Sequence, residues 1–402
     1  MTCAAAFPAI DFDRYHREEL PALLDARRQE RALHATQGLG SLALRLRDGG
    51  AFTYRRRERA LDILPGDEAA DTVIELDHES WQGLVHELEA PAGLLYAGRV
   101  RCLRGQAVDL MSWEPGLRAL YNGRALYDPQ RLELTDRRGR SLDVERTFAP
   151  SDDREDMAHF LRNAGYVFVR NVFRADEIAA FREDVEALRD QARPGDSFSW
   201  WGKNAHGEEV LCRVTRGMAR PHFATLPADP RIVALRDLAD EDLVHRSGEG
   251  DGVTVILKNP DMVEGLCDIP WHRDCGMGGH AVMCPTLIVS VYLTDATPET
   301  GDLRMLPGSR EASFNAHVSG SAALTGVAFR AHPGDVSVHY SDTVHAAPPP
   351  TARGLDTYRI SAIVGFSRPE ARHHRGERSY NEVLHQRADG QIEHLVKVAE
   401  RR

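Results

Sequence analysis

His272 and Asp274, in the run PWHRDCG, are separated by a single residue. In a strand or its extended exit, residues i and i+2 project to the same side. An imidazole and a carboxylate so spaced can occupy adjacent vertices of one metal ion. A third ligand from a distant strand would complete a two-histidine, one-carboxylate face, leaving positions open for a bidentate 2-oxo acid and dioxygen. The triplet alone is weak evidence. With 18 His and 61 acidic residues such triplets arise by chance, and His16 with Glu18 and His206 with Glu208 form two more. The bland alternative for HRD is a surface histidine beside an ion pair.

Downstream, GDVSVHYSDTVHAAPPP reads as a strand and turn presenting His339 and His345. Beyond it Arg359 heads the β-branched strand RISAIVGF. A 2-oxo diacid held through its oxo-acid end points its second carboxylate away from the metal. That carboxylate needs a charge-assisted, bidentate donor, a task arginine suits. Ser361, two residues on, shares that side of the strand and adds a hydroxyl. His-x-Asp, a distal His and Arg-x-Ser, in that order across successive strands, are far more specific than any one part. A hydrolytic zinc site is the rival reading, but it lacks an evident general base and leaves Arg359 and Ser361 idle.

Elements of two kinds must hold these residues. A helical lead-in runs through Ala35, and residues 41–57 alternate around Asp48-Gly49-Gly50, a hairpin signal. Thr72–Leu76 reads as a strand, and residues 80–88 place Trp81, Leu84, Val85 and Leu88 on one helical face, with Asp77 or Ser80 as cap. A small α+β domain over residues 1–111 is expected, then a connector over 112–150 with a short helix and a polar hairpin. From residue 151, Asp152 and Asp153 open an amphipathic helix to about Ala164, followed by the buried strand GYVFVRNVF and a second capped helix. The motif-bearing strands extend that domain to residue 375, with 376–402 as a tail.

Composition excludes little but is consistent. A chain of 402 residues exceeds one usual core, and 42% hydrophobic with 28% charged residues is ordinary for a globular protein. A net charge of -11 argues against a nucleic-acid partner. The six cysteines are scattered, as expected of reduced intracellular thiols, and Cys267, Cys275 and Cys284 lack the paired spacing of a metal site. The opening residues do not resemble a secretion signal, and no long apolar stretch suggests a membrane span, so a cytoplasmic protein is expected. Trp200 and Trp201 read as lying in a polar loop, either as a substrate lid or as packing residues. A basic cluster (Arg368, Arg372, His373, His374, Arg375, Arg378) would meet a phosphate or coenzyme A, or simply face solvent.

Residues from about 152 to 370 resemble the phytanoyl-CoA dioxygenase family of Fe(II)/2-oxoglutarate oxygenases. The runs GYVFVRNVF, PWHRD, VSVYLTDATPETGDLRMLPGSR, GDVSVHYSDTVHAAPPP and YRISAIVGF carry the likeness. It implies a double-stranded β-helix (a cupin-like jelly roll) with flanking helices, and Fe(II), 2-oxoglutarate and O2 as reactants. By the same resemblance His272 and Asp274 are proximal iron ligands, His345 rather than His339 the distal one, and Arg359 rather than Arg353 the cosubstrate anchor. Lys258 matches a site-lining lysine. Two positions depart: Arg273 stands where the family often has a cosubstrate-contacting Gln, and Arg310 replaces the His that usually ends LPGSH. The implied reaction is hydroxylation of a small substrate, since related halogenases lack the carboxylate that Asp274 supplies. RLRDGGAFTY, ADTVIELDHESWQGLVHEL and LLYAGRVRCLRGQ resemble the sterol-carrier-protein-like fold. That likeness implies an apolar, lipid-like substrate or one linked to coenzyme A or a carrier, or else a structural or dimerising appendage, with a non-catalytic lipid- or acyl-binding protein as the alternative function.

Overall fold

The computed structural model describes residues 7–245, 252–259, 262–263, 269–274, 286–314, 324–351, 358–368 and 400. Two apolar cores follow one another along this mixed α/β chain.

The first core begins with helical turns from Phe12–Arg14 to Leu20–Leu23 and helix α1 (Ala26–Ala35), capped by Asp25. Strands β1 (Leu42–Leu46), β2 (Ala51–Arg56), β3 (Leu61–Pro65), β4 (Thr72–Leu76) and β5 (Val100–Arg104) form one sheet in the order β3-β2-β1-β4-β5. Only the β1–β4 pair is parallel. The Asp48-Gly49-Gly50 turn joins β1 to β2, as its composition predicts. Between β4 and β5 lie α2 (His78–Val85) and α3 (Pro91–Ala97). Asp77, not Ser80, caps α2 by accepting from the Ser80 N–H at 2.7 Å. Helix α4 (Val108–Asn122) is longer than the short helix expected of the connector, and Pro115 and Gly116 inside it are the breakers that concealed its length. Its Trp113, Leu117 and Tyr121 share a core with Leu42, Leu44 and Trp81.

That core encloses a histidine. His16 bonds the Phe12 carbonyl through Nδ1 at 2.7 Å, which makes Nδ1 the donor and leaves Nε2 to accept from the Tyr54 hydroxyl at 2.6 Å. The ring stacks on Phe52 at 4.3 Å. Burial pushes the imidazole down to about 4, against the opposing effect of the Phe12 bond.

The second core is built around a wound hairpin. Helix α5 (Arg154–Ala164), capped by Asp153, and α6 (Ala175–Gln191) flank β6 (Tyr166–Val169). Strands β7 (Ser199–Lys203) and β8 (Glu209–Val214), helix α7 (Pro230–Arg236) and β9 (Val244–His245) lead to β10 (Thr254–Lys258). There follow β11 (Ile269–His272), β12 (Leu287–Tyr292), β13 (Leu303–Met305), β14 (Val327–Phe329), β15 (Val336–Tyr340), β16 (His345–Ala347) and β17 (Arg359–Ser367). These pair in nested fashion, β10 with β17, β11 with β16, β12 with β15 and β13 with β14, all antiparallel. Cross-pairs β12–β17 and β13–β16 divide the spiral into two sheets, which is the winding of a double-stranded β-helix.

Alternation along the larger sheet separates two environments. Val255, Leu257, Val289, Val291, Val338 and Ala362 pack in one cluster with Phe160, Leu161 and Ile178 of the helices. The intervening residues, Lys258, Ser290, Ser337, His339, Arg359 and Ser361, are buried on the other face. Polar side chains at such positions are costly without partners.

A segment following α4 braces the motif-bearing strands. The Tyr127 N–H donates to Ser313 at 2.7 Å, and the Ser313 N–H donates to Ala125 at 2.7 Å. The loop 306–314 thus held accepts from Arg273 at the carbonyls of Ser309 (2.9 Å) and Ala312, while the Val344 N–H donates to the Ser309 hydroxyl at 2.8 Å. Arg273 also donates to the Asp342 carbonyl at 3.1 Å. Burial and the nearby Arg118 of α4 push its guanidinium down to about 10, partly offset by Asp342, Glu114 and Glu87.

Two outcomes follow. Arg273→Met keeps the bulk but removes three hydrogen bonds and leaves the Asp342 and Ala312 carbonyls without that donor, and should lower the unfolding free energy by about 3 kcal/mol in denaturant titrations. His16 has a folded value below its unfolded one, so its stabilising contribution is complete above about pH 6.5 and is lost as pH falls toward about 4. Wild type should lose about 3 kcal/mol through this group over that window, and His16→Gln should flatten the pH dependence measured by denaturation.

Candidate active site

His272 closes β11 and His345 opens β16, and the antiparallel register sets them directly opposite one another. Their rings lie 4.2 Å apart, centroid to centroid. Asp274 sits just past the end of β11, its N–H donating to the Ser341 carbonyl at 3.0 Å. Its Oδ1 is 3.6 Å from His272 Nε2 and 3.4 Å from His345 Nε2. One ligand atom from each of the three residues lies within 4.8 Å of the others. Donors about 2 Å from a shared ion stand about 3 Å apart, so the set has the dimensions of one ion's face.

The surroundings favour the same use. His345 Nδ1 lies 2.9 Å from the Thr343 carbonyl, so that nitrogen donates and fixes the ring with Nε2 facing Asp274. Burial would raise the Asp274 carboxyl, but the charge of His345 and the closeness of the His272, His339 and His345 imidazoles hold it well below the usual carboxylate range. About a third of its side chain (36%) remains exposed, so the cluster is reachable from solvent.

Arg359 and Lys258 face each other at the start of β17 and the end of β10. Arg359 is 4% exposed, and its Nε and one terminal nitrogen find no hydrogen-bond partner among the described residues. Burial lowers its affinity for the proton, partly offset by Tyr292 and Asp302. A guanidinium held dry with open donors fits an anionic ligand, because an incoming carboxylate would satisfy them. Ser361 follows on the same face, opposite Ile256 on one side and Tyr292 on the other. Between this end and His339 the inner face carries Ser290 and Ser337, paired across β12 and β15.

The other expected residues fall elsewhere. The Lys258 ammonium donates to the carbonyls of Ala347 and Pro348, the latter at 2.6 Å. A side chain at Gly301, where φ is +76°, would meet that Pro348 oxygen at 2.4 Å, so this close approach requires glycine. Arg273 is turned to the carbonyls of loop 306–314 described above. Trp200 and Trp201, expected in a loop, lie instead in β7 at the sheet's edge, with a bulge between them. Their aromatic side chains suit a pleated surface, and the polar flanking residues disguise the strand in the sequence. Trp200 packs on Cys212 and Met262, and Trp201 donates to Ser199 at 2.8 Å. Arg310 stacks on Tyr340 at 3.7 Å. Arg353, Cys267, Cys275, Cys284 and the basic residues from Arg372 to Arg378 lie outside the described residues; Arg368 pairs with Glu241 at 2.8 Å. His339, weighed only as a rival to His345, stands beside it, with its Nε2 3.6 Å from Asp274 Oδ2. The alternation of β15 was the signal that could have placed it there, since it shares the inner face with Ser337.

Among the described residues, no helix is long and apolar enough to cross a membrane. Residues 161–354 match the sequence profile of the family described as phytanoyl-CoA dioxygenase (PhyH). No curated protein sequence matches the chain. Among solved structures, the chain is similar to AviO1 from Streptomyces viridochromogenes, with 26% identity, 55% of this chain and 97% of that one covered, and a TM-score of 0.44. It is also similar to SnoN, a non-heme alpha ketoglutarate dependent epimerase from nogalamycin biosynthesis, with 23% identity, 54% and 86% covered, and a TM-score of 0.42. A third is HygX from Streptomyces hygroscopicus with nickel, 2-oxoglutarate and hygromycin B bound, with 20% identity, 55% and 89% covered, and a TM-score of 0.39. The family match falls on the β-helix that gathers His272, Asp274 and His345: residues 161–354 are a phytanoyl-CoA dioxygenase (PhyH) family domain, and the chain is an enzyme of the Fe(II)/2-oxoglutarate-dependent oxygenase family.

Proposed function

We propose that this enzyme couples the oxidative decarboxylation of 2-oxoglutarate to hydroxylation of an unactivated C–H bond in a small substrate. The observation that carries this is the meeting of three donor atoms, from two opposed strand residues and Asp274, on the rim of a buried polar face. His272, Asp274 and His345 hold the iron, and their arrangement on one side leaves the remaining positions for reactants. When bound, Fe(II) activates O2 at the expense of 2-oxoglutarate, releasing succinate and CO2. Arg359 receives the far carboxylate of 2-oxoglutarate with donors that nothing else in the described interior satisfies, and Ser361 adds a hydroxyl beside it. Substrate approaches from the side on which Asp274 is exposed. A hydrolytic metal site would leave a dry guanidinium at the head of β17 without purpose.

The sterol-carrier resemblance of residues 1–111 motivates an apolar or acyl-linked substrate. The interior of that sheet-and-helix unit is filled by Trp81, Trp113, Tyr54 and Tyr121, which favours a bracing role for it over lipid carriage.

The test is anaerobic titration with Fe(II) and 2-oxoglutarate, read by the visible charge-transfer band, followed by O2 uptake and succinate release. Wild type should show the band, and Asp274→Ala should lose it together with turnover. An Asp274→Ala protein with full turnover would remove the assignment. Arg359→Met should bind Fe(II) normally but need about 100-fold more 2-oxoglutarate to develop the band, the loss expected when a charged, bidentate contact is removed.

A further inference from the structure

The interior of the β-helix contains a second imidazole that the ligand set does not use. His339 lies on β15 across from Ile288 of β12 and is 3% exposed. Neither ring nitrogen has a hydrogen-bond partner among the described residues. Its Nε2 is 3.6 Å from Asp274 Oδ2, the oxygen turned away from His272 and His345, and its ring lies 4.7 Å from that of His345. The difference from His345 is plain: His345 has its Nδ1 fixed on the Thr343 carbonyl, whereas His339 has nothing of the kind. Each unmet buried group costs about 1–3 kcal/mol, so a phenyl or isobutyl group would fill this position more cheaply.

We propose that His339 is a positioning residue that donates from Nε2 to Asp274 Oδ2 and so keeps the carboxylate on a single coordination position. The proposal rests on the reading of His272, Asp274 and His345 as the iron ligands. Asp274 needs such a grip, because it lies beyond the end of its strand, partly exposed, and among the described residues its hydrogen bond is that of its backbone N–H to Ser341. A carboxylate free to swing can take two positions on an ion instead of one. Three protein ligands, a bidentate oxo acid and dioxygen fill six positions, so a second oxygen from Asp274 would displace a reactant. A hydrogen bond to the other oxygen blocks that swing, as partners of metal-bound groups commonly do.

Anaerobic titration with Co(II), then with 2-oxoglutarate, on wild type, His339→Phe, His339→Gln and His345→Ala tests this. The readouts are metal affinity and the ligand-field spectrum of the bound Co(II). His339→Phe, whose side chain suits a strand, should weaken metal binding about 10–100-fold. It should also weaken the subsequent binding of 2-oxoglutarate, because the second Asp274 oxygen takes a position otherwise held by water, which leaves the wild-type coordination number unchanged before the oxo acid is added but denies that position to the oxo acid. His339→Gln, with an amide N–H able to reach Asp274, should recover most of both losses. Unchanged affinities in His339→Phe would overturn the proposal, as would equal losses in the Phe and Gln variants. A loss as deep as that of His345→Ala, with an altered Co(II) spectrum, would also overturn it by making His339 a ligand in its own right. Failure of wild type itself to take up metal would instead remove the iron-site reading beneath it.

Discussion

Across β11 and β16, His272 and His345 oppose each other directly, and a slip of one residue in that ladder would turn one imidazole to the opposite face. The register is therefore the constraint on which the centre depends. It is reinforced from both sides: β13 pairs with β16 through Met305 and His345, and the residue after His272 is bolted to loop 306–314. Asp274 is held less firmly. It depends on one backbone hydrogen bond and on the imidazoles that surround it.

The larger sheet repeats this division of labour. Its outward residues are hydrocarbon and pack on helices, a fit that any sequence of suitable volume could achieve. Its inward residues include Lys258, Ser290, Ser337, His339, Arg359 and Ser361, which a stability-driven interior would not choose. Lys258 is reconciled with burial by backbone carbonyls at the start of the Pro-rich turn. Among the described residues, Arg359 and His339 are not reconciled by hydrogen-bonding groups in the same way, and such positions are where binding chemistry is concentrated.

Much of this was legible in the sequence because the physical period of a strand is short. The His-x-Asp spacing and the alternation of RISAIVGF each specify a face without reference to the rest of the chain. The same holds for Asp153, whose carboxylate caps α5 from a position fixed by local geometry. What was not legible depends on pairing between distant residues. HRD does not reveal that Arg273 reaches loop 306–314, because its three acceptors are backbone carbonyls, which every residue possesses. Trp200 and Trp201 failed for a related reason: the partner strand β8 makes them a strand, and polar neighbours disguise it. The length of α4 was masked by Pro115 and Gly116, whose local preference is overridden by packing against the first core. His339 required knowing which side of β15 faces Asp274.

The short parallel bridge between Leu126 and Ser313 lies outside both cores, yet it ties the two halves of the chain together. Tyr127 adds an aromatic contact with Phe314 and a hydroxyl bond to Pro307, so residues 125–127 act as an extra rung beneath the loop that receives Arg273. An oxygenase half excised at the start of its profile match would lose that rung and bare the loop's underside. The catalytic half is thus not autonomous at this seam, and a graft onto another protein would have to carry the stretch around Tyr127 as part of its own scaffold.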